Sequence, residues 1–490
     1  MARHRLVAIA PVVALTSACA TLGPPPDPQT AACERWFLQM DQAVRRHGTS
    51  DGGAARIEGF PGLRVDRFLA ALAHPELSAG ARAAWVERLR RLDLKERRLE
   101  WRNLTAGTSA ELRPPIAGPP EPAIELCSDR LARRDLSPAA RRLLLKRARV
   151  PDSYSTLARF LGLYGLTRWA VADGVYRLQR ELRASFRVPP ADPPVQGEPI
   201  RYGPPAGIGM ADAAGLLRDS TGSPLAIPEP EPERLSLLFK AYAPVFAIDT
   251  ASPADRPGSP RIGADGNAVV DIGRPAVYRL VSHGLLGNRP LLQLNYLLWF
   301  PARPPAGPWD IYAGAFDGLI WRVTLAPGGQ PLAYDSIHPC GCYHQVFPGA
   351  GHRVVQPGDG SEPVLSPAPA PRLRPGERLV IRLAAATHYI VGLSSEAAGR
   401  ANGATYALRD YDELRSLPAP DGRRRSLFDP AGLVPESARP ERLLFWPMGI
   451  ASAGAMRQWG QHAIAFLGRR HFDDPRLLER MLRPLGVAGR

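Results

Sequence analysis

The sequence predicts an α+β protein, with a helical N-terminal domain over residues 33–186 and a mainly antiparallel β domain with a helical tail over residues 234–490. Apolar residues recur at helical spacing in the first region, which is the pattern of amphipathic helices. Short β-branched and aromatic runs between turn residues characterise the second. Residues 187–233 lie between them and contain eleven prolines, which predicts a linker or a loop wrapped over the surface.

The clearest helix of the first region covers residues 79–104, which are rich in Ala, Arg, Leu and Glu. Ser78 precedes it as a side chain able to cap its first turn. Ser137 and Pro138 open another helix in the same way, since proline suits the first helical position. The same periodicity predicts further helices over residues 33–46, 65–72 and 154–182.

The clearest β-hairpin joins residues 319–325 to residues 331–337 across a turn that contains Gly328 and Gly329. Other strands are predicted over residues 269–271, 276–282, 291–300, 378–383, 389–393 and 405–408. The tail over residues 452–483 is predicted to be helical, with Met456, Trp459 and Ile464 on its apolar side.

The N-terminus has the pattern of an export signal. Arg3 and Arg5 precede a short apolar run, and small residues then lead to Cys19. This layout resembles a bacterial lipoprotein signal, although Thr16 stands where such signals usually carry leucine. The resemblance implies that residues 1–18 are removed and that Cys19 becomes the lipidated first residue. An ordinary cleaved signal with an incidental cysteine is the alternative.

The resemblance also implies a place for the protein in the cell. Residue 20 is alanine rather than aspartate, which in Gram-negative lipoproteins indicates the outer membrane, facing the periplasm. Residues 19–32 are then a stiff, Pro-rich tether to the membrane. The formal net charge is +15. In an exported protein this charge points to anionic lipid, an anionic envelope polymer or another envelope protein rather than to nucleic acid.

Cysteine usage predicts one disulfide. The chain has five cysteines, and Cys33 and Cys127 have no other obvious partner in the N-terminal half. Their bridge would close a loop of about 95 residues, worth roughly 4–5 kcal/mol in the chain-entropy model.

The segment 338–344 is the one unusual cluster of chemically capable side chains. His338, Cys340, Cys342 and His344 recur at a spacing of two, and their thiolate and imidazole donors are those that zinc and copper prefer. In an extended strand the two histidines would lie about 20 Å apart, so a single metal ion requires a turn. A local Cys340–Cys342 disulfide and two free thiols are the alternatives. The remote residues able to complete a metal site are His283, His352 and His388.

Two enzymatic interpretations involve the same region. Gly341 and Cys342 resemble part of the L,D-transpeptidase motif, with Cys342 as nucleophile and His283 as a possible base, but Pro339 and His344 replace the serine and arginine of that motif. A carboxylate pair among Asp310, Asp317 and Asp335 would instead suit glycoside hydrolysis. The sequence therefore predicts an envelope binding or structural protein, with a metal- or thiol-dependent hydrolase or transpeptidase centred on residues 338–344 as the alternative.

Overall fold

The structure, a computed structural model, describes residues 27–187, 195–205, 213–218, 220–358, 360–399 and 403–485. The predicted signal, Cys19 and most of the predicted tether lie outside these residues. The α+β class is confirmed, because a mainly helical N-terminal region precedes the mixed and antiparallel sheets.

The helices, numbered in chain order, are concentrated in the first half. They are α1 Pro28–Arg46, α2 Arg67–Ala71, α3 Ala79–Asn103, α4 Ala106–Glu111, α5 Pro120–Asp135, α6 Pro138–Arg147, α7 Thr156–Leu161, α8 Tyr164–Ser185, α9 Ala213–Leu217, α10 Pro232–Tyr242, α11 Arg442–Phe445 and α12 Leu477–Met481. Ser78 and Ser137 cap α3 and α6 through backbone amides of their first turns, as predicted.

The strands, numbered in the same way, form two larger sheets and several short pairs among the described residues. They are β1 Ala55–Ile57, β2 Phe60–Val65, β3 Glu198–Gly203, β4 Val245–Thr250, β5 Ser259–Ile262, β6 Ala268–Asp271, β7 Ala276–Leu286, β8 Arg289–Arg303, β9 Gly314–Leu325, β10 Pro331–Ile337, β11 Gln345–Pro348, β12 His352–Val354, β13 Glu377–Leu383, β14 Ile390–Ala397, β15 Ala404–Thr405, β16 Ala407–Asp410, β17 Leu417–Pro418, β18 Arg424–Arg425 and β19 Leu482–Pro484.

Three features of the N-terminal region differ from the prediction. Helix α1 begins at Pro28, capped by the Asp27 carboxylate, so residues 28–32 of the predicted tether are helical. The strands β1 and β2 form an antiparallel hairpin within the predicted helical domain. Its turn contains Gly59 at φ +80°, a conformation that glycine adopts without strain. The helix predicted over residues 65–72 is accordingly shortened to α2.

A disulfide joins α1 to α5. Cys33 and Cys127 are linked with an S–S distance of 2.01 Å, which is the pairing predicted from the cysteine count. Both cysteines are buried among apolar side chains of the two helices, including Trp36, Phe37 and Leu131. The bridge therefore lies inside the packed helical region.

The two larger sheets pack face to face. The six-stranded sheet has the order β11-β10-β9-β8-β7-β16, and the five-stranded sheet has the order β14-β13-β4-β3-β15. Side chains such as Tyr296 and Trp321 on the first sheet and Phe246 and Ile381 on the second share one apolar core. The predicted hairpin is the antiparallel pair β9–β10.

Part of the Pro-rich stretch belongs to this core rather than to a simple linker. The strand β3, within residues 187–233, pairs with β4 in the five-stranded sheet. Tyr202 of β3 is buried in the shared core. The segment thus ties the helical region to the β sandwich.

The C-terminal tail covers the other face of the six-stranded sheet, so this sheet is buried on both sides. Met456 and Ile464 enter a second apolar core with Trp299 and Ile320, as their apolar pattern suggests. The helix predicted over residues 452–483 is nevertheless limited to α12, and most of residues 452–476 form turns and irregular chain. Glycines at positive φ interrupt this segment, among them Gly454, Gly460 and Gly468.

Candidate functional site

The loop over residues 338–344 connects β10 to β11 at the end of the six-stranded sheet. It closes into a turn, in which Gly341 N donates to His338 O at 2.8 Å and His338 N donates to Cys342 O at 3.0 Å. Gly341 has φ +90°, and a Cβ at this position would lie 2.3 Å from the carbonyl oxygen of Ala463. Glycine is therefore required for the loop to pack against the tail.

In this turn, each of the two predicted histidine ligands contacts a carboxylate group. Nδ1 of His338 lies 3.1 Å from Oδ1 of Asp317, whereas Nε2 of His344 lies 3.3 Å from Oδ2 of Asp335. Both carboxylates are buried, and they belong to separate networks. Both cysteines line a cavity, and His344 also contributes to its wall. Among the described residues no three His, Cys, Asp or Glu side chains are placed to hold one metal ion, so the zinc or copper hypothesis gains no support from the geometry.

Asp317 is the centre of one of these networks. Its second oxygen, Oδ2, accepts a hydrogen bond from Nδ1 of His388 at 2.8 Å, and Nε2 of His388 lies 3.3 Å from Oδ1 of Asp255. The ring of Phe300 stacks on His388 with centroids 3.9 Å apart. His388, a remote metal candidate in the sequence, thus meets His338 through a shared carboxylate.

The pKa values of Asp317, His338 and His388 are shifted in different directions. Burial alone would raise the pKa of Asp317, but His338 and His388 outweigh it and hold that pKa well below its usual range. Burial alone would lower the pKa of His388, but the neighbouring carboxylates of Asp255 and Asp317 raise it. For His338 burial prevails, and the pKa is lowered. The network therefore combines an ionised Asp317, a His388 whose cationic form is favoured and a His338 whose cationic form is disfavoured.

The thiols of Cys340 and Cys342 are both free and lie next to each other. The backbone N–H of Cys342 donates to Sγ of Cys340 at 3.3 Å. The hydrogen bond between the two thiols, followed by burial, raises the pKa of Cys342 well above its usual range. Because the thiolate is the reactive form, Cys342 is a weak nucleophile at neutral pH.

A cavity of about 860 Å³ lies beside these thiols. Helix α8, the loop and residues 441–466 enclose it. Its wall is mostly apolar and includes Val171, Leu178, Leu444 and Phe466. The size and the lining match those of small-molecule sites in proteins.

Polar groups gather at one end of the cavity. Nη1 of Arg303 donates to the hydroxyl groups of Tyr343 and Tyr389, at 3.2 Å each. Tyr312 lines the same end, and the guanidinium of Arg303 lies 5.6 Å from its ring centroid. Glu441 is also in the wall, and burial raises the pKa of its carboxyl to about 7. A ligand with an apolar body and one polar or anionic end fits this distribution.

The other sequence candidates lie apart from the thiols. Nε2 of His283 lies 3.0 Å from the carbonyl oxygen of Pro228, and its ring stacks on Phe68. Asp310 accepts backbone hydrogen bonds within its own loop. Asp335 pairs with Arg322 in the interior. His352 lies in β12, where Nδ1 is 3.3 Å from the oxygen of Ala350.

Sequence reasoning did not identify the polar end of the cavity or its helical wall. Arg303, Tyr389 and Glu441 come from three distant segments, and no local motif marks any of them. The aromatic and apolar residues of α8 indicate a helix, but their spacing does not distinguish an exposed face from a buried one.

Comparison with known proteins does not identify this site: no protein-family model matches the chain, and no curated protein or solved structure shows significant similarity to it. Of the helices that the structure describes, none is both long enough and apolar enough to cross a membrane.

Proposed function

We propose that the protein is a lipid-anchored binding protein of the Gram-negative envelope that holds an amphiphilic ligand in the cavity between α8 and the 338–344 loop. The pattern of residues 1–19 supports the anchor on Cys19 and a position on the periplasmic face of the outer membrane. The disulfide between Cys33 and Cys127 is consistent with an oxidising compartment.

The observation that carries the ligand-binding proposal is the cavity itself. Its apolar wall favours the body of an amphiphile, because enclosure there removes apolar surface from water. Arg303, oriented by Tyr343 and Tyr389, offers a positive charge to a polar or anionic head group. Binding is favoured over covalent catalysis because the raised pKa of Cys342 disfavours its thiolate.

A cavity-filling substitution tests this proposal. Gly174 lies in the cavity wall on α8, and a Cβ there meets no atom within 4 Å. Gly165, on the same helix, has equally open surroundings but does not line the cavity. Both substitutions to leucine remove a helical glycine, so their effects on the helix are matched.

The measurement uses the unlipidated mature chain, residues 19–490 with Cys19→Ser, and a fluorescent long-chain fatty acid as probe. We expect Gly174→Leu to weaken probe binding about tenfold or more, because the new side chain occupies the volume of the ligand. Gly165→Leu should bind as the parent chain does. The proposal is overturned if the parent chain does not bind the probe or if Gly174→Leu binds it equally well.

The second candidate function is a thiol- or metal-dependent enzyme. It is favoured by the placement of Cys340 and Cys342 side by side in the cavity wall, where a bound molecule would meet them. Elemental analysis of the purified chain tests the metal form of this proposal. The metal-dependent form requires about one zinc or copper ion per chain. It also requires that Cys340→Ser and Cys342→Ser lose this metal. The thiol form requires turnover of an envelope substrate that disappears in Cys342→Ser.

A further inference from the structure

A surface beside the cavity exposes large apolar side chains that proteins normally bury. On α7, α8 and the turn between them, Phe160, Leu166 and Trp169 are 76%, 72% and 70% exposed, and Leu163 is 63% exposed. On α11, Leu443 and Leu444 are 70% and 59% exposed. We call these six side chains the apolar patch. A contiguous exposed surface of this kind indicates an interaction site.

The two parts of the apolar patch belong to one rigid surface. Gly162, between α7 and α8, packs so closely on Pro447 that a Cβ would lie 2.5 Å from the proline side chain. Nε of Arg159 also donates to the carbonyl oxygen of Met448 at 2.8 Å. The segment that follows α11 is therefore fixed against α7 and α8.

Positively charged side chains lie on the same helix as part of the apolar patch. Leu166 and Trp169 lie on the first turns of α8, and exposed Arg177 and Arg180 follow on the later turns of the same outward face. Residues 156–187 contain six arginines but only two acidic residues. Apolar and aromatic side chains beside a cluster of arginines are typical of helices that lie in the interface of an anionic membrane.

We propose that the apolar patch docks on the surface of an anionic lipid bilayer. Phe160, Leu166 and Trp169 enter the headgroup region, where apolar surface leaves water, while the arginines of α8 contact lipid phosphates. This goes beyond ligand binding and does not depend on lipid at Cys19.

The apolar patch and the cavity wall adjoin each other. Leu444 belongs both to the apolar patch and to the cavity wall, and Ala170 of α8 also lines the cavity. Docking would therefore bring this part of the cavity wall to the bilayer surface, close to the amphiphiles that the cavity is proposed to bind.

The test compares vesicle binding by the unlipidated mature chain with that of a patch variant, Phe160→Ser/Leu166→Ser/Trp169→Ser. Because these side chains are exposed, the fold should be retained, and circular dichroism checks this. The matched control is Leu38→Ser/Leu126→Ser, which removes exposed apolar residues of α1 and α5 outside the apolar patch.

On vesicles of phosphatidylglycerol and phosphatidylethanolamine, flotation should show binding by the parent and control chains. The patch variant should bind about tenfold or more weakly. Pure phosphatidylcholine vesicles and about 0.5 M salt should each weaken binding by the parent chain, because the arginine contribution is screened or lost. Equal binding by the patch variant overturns the proposal. So does a parent chain that fails to bind vesicles and instead forms a dimer that the patch variant breaks in sedimentation velocity.

The fatty-acid probe separates this proposal from the ligand-binding proposal. The patch variant should keep its affinity for the probe in the absence of vesicles, since its three substituted side chains lie outside the cavity wall. Vesicle binding without probe binding would overturn only the proposed function. Probe binding without vesicle binding would overturn only the docking surface.

Discussion

His388 donates a hydrogen bond from Nδ1 to Oδ2 of Asp317 at 2.8 Å in the interior between the sheets. Its other ring nitrogen faces Asp255. A single imidazole thus lies between two carboxylates, which favours its cationic form although it is fully buried.

The raised pKa of His388 predicts a loss of stability as the pH rises above the ordinary value of 6.5. Since the folded-state pKa is raised above the ordinary 6.5, this stabilisation is fully present below about pH 6.5 and disappears as the pH rises through the folded value. His388→Gln should lower the free energy of unfolding by about 3–5 kcal/mol at low pH and remove this part of the pH dependence. Urea unfolding at several pH values measures both effects. Exposed His74→Gln is the control; an unchanged pH dependence in His388→Gln would contradict the assignment.

Glu441 predicts a second, separable pH effect. Burial raises its folded pKa to about 7, against an ordinary value of 4.5 for glutamate. The native state therefore keeps a proton that the unfolded chain releases between these values, and the free energy of unfolding falls as the pH rises through that window. Glu441→Gln should stabilise the protein by roughly 2–3 kcal/mol at about pH 8 and have little effect at about pH 4. Denaturant unfolding of both chains at the two pH values tests this; equal differences at both would be inconsistent with it.

The buried ion network of Arg64 predicts a large loss on removal of one partner. Nε of Arg64 lies 3.1 Å from Asp93, and Nη2 lies 2.6 Å from Glu100, with all three side chains buried. Arg64→Met should lower the free energy of unfolding by about 3–5 kcal/mol, because the buried network loses one of its cations. Among the described residues, Asp93 then keeps only Arg97 and Glu100 keeps only Arg56 as an ion-pair partner. Arg133→Met breaks only an exposed pair with Asp129 on α5 and should cost less than about 1 kcal/mol. A small effect at Arg64 would contradict this prediction and would show that Arg56 and Arg97 suffice to compensate the two carboxylates.

The disulfide predicts a stability difference that depends on reductant. Cys33→Ala/Cys127→Ala should reduce the free energy of unfolding by about 4 kcal/mol, since the bridge closes a sequence separation of 94 residues. Guanidinium unfolding with and without reductant measures it. The parent chain should lose stability in reductant, whereas the variant should not respond.

The thiol pair predicts an unusual alkylation profile. At neutral pH, Cys342 should react with iodoacetamide more slowly than a free cysteine, and its rate should keep rising to alkaline pH. In Cys340→Ser the rate should increase, because the hydrogen bond from the neighbouring thiol is the largest cause of the raised pKa. Peptide mass spectrometry follows each site. Rapid alkylation of the parent chain at neutral pH would favour the thiol-enzyme alternative.

The sequence predicted correctly those helices and strands whose ends are marked by capping or turn residues next to them. Ser78 lies next to the helix that it caps, and the glycines between β9 and β10 fix that hairpin. The β1–β2 hairpin was missed although Gly59 marks its turn. In the tail, Met456 and Ile464 were correctly predicted to be apolar contacts, but helical spacing alone did not account for the intervening glycines.

The candidate site was less predictable because tertiary contacts assemble it. Spacing identified the 338–344 segment, but not that both of its histidines contact buried carboxylates, nor that its cysteines and His344 line a cavity. The pairing of Asp317 with His388 joins residues 71 positions apart. Hydrophobic periodicity also could not show that Leu166 and Trp169 point outward, since a docking face has the composition of a buried one.

The cavity wall combines residues that lie far apart in the sequence, so the cavity cannot form early in synthesis. One side comes from α8 and the opposite side from residues as late as Phe466, so most of the chain must be synthesised before the wall closes. A nascent or truncated chain that ends before the tail leaves this volume open to solvent. In the proposed binding function, a ligand would be held only after the C-terminal segment has folded onto its sheet.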